Sequence, residues 1–102
     1  MVKLEKINET IKTIEGIPVI LTGDSKSLTF KRAFVMALEI SESKPGESIP
    51  KIQLGGRIHS ASDKVELTEE DIKILKDCVD NLRGFPSVVT GNLGIMLRDA
   101  KK

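Results

Sequence analysis

Leu67-Thr-Glu-Glu-Asp-Ile-Lys-Ile-Leu-Lys-Asp-Cys-Val-Asp-Asn-Leu-Arg-Gly-Phe-Pro86 carries the start and stop signals of one helix. Thr68 is placed as N-cap, Asp71 three residues on can return its carboxylate to the cap, and Leu67 can staple against Ile72 across the first turn. Glu69, Glu70 and Asp71 also complement the positive end of the helix dipole. Gly84 offers a left-handed stop and Pro86 forbids continuation, so the spacing predicts a helix over residues 69 to 83. Ile72, Leu75, Val79 and Leu82 then form one apolar stripe, with Cys78 beside it. These signals specify structure rather than chemistry.

Downstream, Pro86 can open a last helix in which Val89, Leu93, Met96 and Leu97 share a side. Gly91 and Gly94 weaken that helix and would let a neighbour approach closely. Upstream, Lys64 to Leu67 reads as a brief strand. Residues 2 to 22 are rich in β-branched side chains and lack a helical cap, which predicts a hairpin turning at Glu15-Gly16, with Pro18 at a sheet edge or bulge. The turn cluster Thr22 to Ser27 leads into a helix over about 28 to 42, with Phe30, Ala33, Phe34, Ala37 and Leu38 on one face. Ser27 is the expected cap and Thr29 the alternative. Residues 41 to 48 read as an exposed connection. Ile49 to Ala61 fits a strand or a helix, and a short, irregular helix from Pro50 is favoured despite Gly55-Gly56. The sum is a single α+β domain over 1 to 102. Its N-terminal β-hairpin, optionally joined by Lys64 to Leu67 as a third short strand, packs on three or four helices.

At 102 residues, 39% hydrophobic and 30% charged, the chain suits one modest core. Its only aromatics are Phe30, Phe34 and Phe85, so that core is aliphatic. A formal charge of +1 gives no field to draw in phosphate backbones or anionic membranes. The single cysteine, Cys78, excludes an internal disulfide framework and suits a reducing cytosol. No signal-peptide core and no apolar run of about 20 residues is present, which points to an intracellular protein away from the membrane.

The chemical motifs are thin. Thr22-Gly-Asp-Ser-Lys-Ser ahead of a helix has the look of a phosphate cradle, but lacks the second glycine of a P-loop. His59 and Cys78 are unique, so a Cys-His dyad would need both, oriented by Asp63 or Asp80, and nothing in their spacing supports it. Two strong ligands do not make a metal site, and no cofactor motif is found. The last two helices have helix-turn-helix spacing, but residues 87 to 99 offer only Asn92 and Arg98 to read a groove.

Taken together, the opening Lys12-Thr13-Ile14-Glu15-Gly16-Ile17-Pro18, the helical segment Leu28 to Leu38, the stretch Val65 to Lys76 and the terminal helix Ser87 to Leu97 resemble a group of small uncharacterised proteins of tailed phages and prophages. The resemblance covers about half the chain, implies a viral or prophage setting, and transfers no functional residue. The expected function is that of an accessory protein, not an enzyme. It would bind another protein, such as a host or defence component, in the host cytoplasm, with self-association as a further option. A nucleic-acid-binding regulator using Lys31, Arg32, Arg57, Arg83 and Arg98 is the first alternative, and a virion structural or assembly component the second.

Overall fold

A computed structural model of the chain describes residues 2–20, 26–41, 45–82 and 85–100. Its elements are β1 (Val2–Glu5), α1 (Phe30–Ile40), α2 (Ser48–Ser60), β2 (Lys64–Leu67), α3 (Glu69–Asp80) and α4 (Ser87–Asp99). The fold is α+β: one antiparallel strand pair and four helices around an aliphatic core in which Phe34 is the largest fully buried side chain.

The start of α3 forms as its sequence dictates. The Asp71 N–H donates to Thr68 Oγ1 at 3.1 Å and the Thr68 N–H donates to Asp71 Oδ2 at 3.0 Å, closing the capping box. Ile72, Leu75, Cys78 and Val79 are buried. The helix ends at Asp80, earlier than expected, because Asn81 leaves helical geometry there and folds its side-chain amide onto the Asp77 carbonyl. Leu82 still packs on the core from outside the helix, and the stop expected at Gly84 lies outside the described residues.

The strand material predicted over residues 2 to 22 resolves into two parts. Of its described residues, 2 to 20, only Val2–Glu5 form a regular strand, which pairs with Lys64–Leu67 in the register Val2↔Leu67 and Leu4↔Val65. Val2, Leu4 and Leu67 point into the core, whereas Lys3 and Glu66 face each other at 3.8 Å in water. Lys6, at φ 60°, turns the chain out of the sheet. The turn at Glu15-Gly16 is present, but within a smaller arch bridged only at Lys12↔Pro18. Its loop has three residues, not two. Gly16 alone takes positive φ, 88°, while its N–H donates to Thr13 O (2.9 Å) and the Thr13 N–H to Ile17 O (2.8 Å). A two-residue loop would have forced Glu15 into the left-handed region as well.

A closed triangle of backbone hydrogen bonds anchors the arch. Ile11 N–H donates to Leu28 O, Leu28 N–H to Val19 O, and Val19 N–H to Ile11 O, at 2.8, 2.7 and 2.9 Å, and all three side chains are buried. The same segment caps α1. Its first amides go to Glu9 O, Ile7 O and the Thr29 hydroxyl, so Thr29 rather than Ser27 is the cap and the helix spans Phe30–Ile40.

α2 is longer and more regular than expected. Pro50 falls in the first turn, where no intrahelical N–H is required, and Gly55 lies against Leu38 of α1, with 3.6 Å from an added Cβ to Leu38 Cδ1. α1 and α2 run antiparallel, since Lys31 near the start of α1 donates to the Ala61 carbonyl at the end of α2, and Ser41 after α1 meets Lys51 early in α2. Of the connection expected over 41 to 48, Pro45, Gly46 and Glu47 are exposed, Ser41 is half-buried, Ser48 already belongs to α2, and 42–44 lie outside the described residues.

Candidate functional site

The most unusual surface is the arch. Ile14 occupies the first central position of its tight turn and is fully exposed, while Ile17 and Ile20 are 57% and 56% exposed just beyond it. Turns favour proline and small polar residues there, so a β-branched apolar side chain at the apex is a local mismatch that the fold does not require. Such mismatches concentrate at functional positions. The tip is held firmly from beneath by the buried triangle and at its side by Asn92 of α4, whose amide donates to the Lys12 carbonyl at 3.4 Å. A shallow depression lined by Glu9, Thr10, Lys12, Thr13, Phe30 and Asn92 lies alongside. The chemistry on offer there is apolar contact with a polar rim. The sequence pattern had these isoleucines as strand residues. The signal that separates them from the core set is their position around Gly16 rather than their hydrophobicity.

The residues considered for chemistry do not converge. Cys78 is a free, buried thiol on α3, with Ser41 Oγ at 3.3 Å, and that hydroxyl accepts from the Lys51 amine at 3.3 Å. His59 is exposed at the other end of α2, eight residues from Lys51, a rise of about 12 Å. Asp63 takes no part either: its carboxylate accepts the Asn8 N–H and its carbonyl accepts the Ile7 N–H, both in the bend beside the sheet. The phosphate-cradle reading fails on α1 itself, because its leading amides are already bonded to Glu9, Ile7 and Thr29. Residues 22–25 of that motif lie outside the described residues. Among the described residues no three His, Cys, Asp or Glu side chains gather as a metal site.

Of the five basic residues of the nucleic-acid alternative, Lys31 and Arg57 are brought to the same end of the α1/α2 pair. Lys31 donates to the Ala61 carbonyl there, and Arg57 donates to Asp71 Oδ1 at 2.9 Å. Arg98 pairs with its neighbour Asp99 at 3.0 Å on the exposed end of α4. Arg32 is exposed on α1, and Arg83 lies outside the described residues. Asn92, one of the two side chains the last helix would offer to a groove, is folded onto its own helix at Val88 O and onto the arch.

The Arg57–Asp71 pair belongs to the fold. Burial pushes the Asp71 carboxyl up, but hydrogen bonds from the Thr68 backbone and from Arg57 outweigh it and hold the pKa below the usual 3.8. A carboxylate depressed in the folded state adds stability above its unfolded pKa, and that stability is lost as pH falls through the folded value. Asp71→Asn is therefore expected to cost stability at neutral pH and progressively less toward pH ~2. Urea midpoints of both proteins at several pH values check this. A constant difference between the two would contradict it.

These features define a class: a small α+β protein with a satisfied interior, an apolar arch tip and no assembled reaction centre among its described residues. No protein-family model, curated protein or solved structure matches the chain. No described helix is long and apolar enough to cross a membrane.

Proposed function

We propose that this chain is an accessory protein of phage or prophage type that acts by binding another protein, a host or defence component, and performs no chemistry of its own. The observation that carries the reading is the apolar apex at Ile14, with Ile17 and Ile20 beside it, on a rigidly anchored arch. Isolated exposed apolar residues are ordinary. One isoleucine in the loop and two on the arm that follows it, over a base tied by backbone hydrogen bonds, present a contact that is partly preorganised for binding. The viral setting rests on the resemblance of the Lys12–Pro18 opening and the two terminal segments. Action in the host cytoplasm follows from that setting, and residence in the virion would follow from a structural role.

The test is capture from a bacterial host lysate on immobilised protein, beside the variant Ile14→Ser, Ile17→Ser, Ile20→Ser. A partner retained by the native chain and lost by the folded variant is the expected result. Equal capture by both proteins, or salt-sensitive retention of duplex DNA in place of protein, would overturn the reading.

A further inference from the structure

α2 rests mainly on α1 and leaves its outer side to solvent. Its inner side carries Lys51, Leu54, Gly55 and Ile58. The outer stripe is Ile49, Ile52, Gln53, Gly56 and Ser60, all exposed, with Ile49 at 69% and Ile52 at 59%. In a chain 30% charged, this stripe contains no charged side chain. Arg57 and His59 flank it, and Arg57 is held by Asp71.

The stripe is also ordered by size. Its N-terminal half is large, Ile49 and Ile52, and its C-terminal half is small, Gly56 and Ser60. An added Cβ at Gly56 would meet nothing within 4 Å, so the space above that glycine is open. Two such helices placed antiparallel about a two-fold axis bring Ile52 of each over Gly56 of the other, and Ile49 to within one residue of Ser60. A parallel arrangement would set isoleucine against isoleucine and glycine against glycine. The surface is therefore complementary to itself in one orientation, which is the requirement for an isologous dimer contact.

We propose that α2 is the contact between two copies of this chain, packed antiparallel with Ile52 seated on Gly56 of the second copy. This deepens the interaction reading, on which it rests only in assigning exposed apolar surface to partners. The arch stays free for a different protein. The Ile49–Ser60 stripe is about 16 Å long, so the contact lies at the small end of specific interfaces and the dimer dissociates on dilution.

Sedimentation equilibrium of the full chain over a wide concentration range tests the proposal. The native protein is expected to pass from monomer to dimer, and Ile52→Lys to associate at least about tenfold more weakly. Because Ile52 is exposed, that variant should keep its denaturation midpoint. Register is read by oxidative cross-linking: Ile52→Cys mixed with Gly56→Cys should form the mixed disulfide faster than either variant alone, Cys78 being buried. A native protein that stays monomeric, a dimer indifferent to Ile52→Lys, or like pairs linking as fast as the mixed pair would each overturn it. The arch variant should still dimerise, so failure of one proposal leaves the other standing.

Discussion

Phe34→Ala is expected to lower the unfolding free energy by about 3–5 kcal/mol, the largest effect of any single truncation in this core. Phe34 is wholly buried on α1, whereas Phe30 and Phe85 pack only from the margin. The other fully buried members of its core cluster carry no ring. Small domains have only about 5–15 kcal/mol in total, so the variant should sit close to the threshold for folding. Urea denaturation followed by circular dichroism measures the loss, and Phe34→Leu, which keeps most of the volume, should lose far less. A midpoint unchanged by the alanine substitution would show that the ring is not the centre of the core.

The opposite sign is expected on α4. Gly91→Ala and Gly94→Ala together should stabilise the protein by about 2 kcal/mol, since each removes a helix penalty of about 1 kcal/mol. The sequence suggested that these glycines admit a neighbouring helix. The structure places nothing within 4 Å of a Cβ at either one, and the buried line of α4 is Val89, Leu93 and Leu97. A rise in melting temperature of roughly 8 °C or more is the corresponding thermal reading. A destabilised double variant would mean that this face meets something the isolated fold does not contain. Gly56 is left out because its open space is assigned to the second copy.

What the sequence conveyed well was local. Thr68 and Asp71 satisfy each other within one turn, so their role could be read without knowing the rest of the molecule. The arch could not, because its buried residues Ile7, Ile11 and Val19 share a period-two face with the exposed Ile17, so alternation alone does not separate inside from outside. Bends at Lys6 and Gly16 bring them inward, and a non-glycine residue at positive φ leaves no mark in a sequence. α2 was underestimated for a different reason. Gly55 looked like a breaker, but burial of Leu54 and Ile58 in the core outweighs it, a benefit that exists only once α1 is in place. The buried Lys51–Ser41–Cys78 group was equally hidden, since its members come from three separate segments. The exposure of the isoleucines of the arch and of α2 was not legible either, because composition alone cannot assign a side to an apolar residue.

The pairing of Val2–Glu5 with Lys64–Leu67 also sets a timetable. During synthesis β1 is made before the other described elements, and its strand partner among them appears some sixty residues later, which at ~5–20 residues per second is about 3–12 s. Through that interval the strand must wait while the antiparallel helices α1 and α2, joined by contacts closer in sequence, can already assemble. The sheet thus closes only after both helices of that pair have been made, and before α3 and α4 have been.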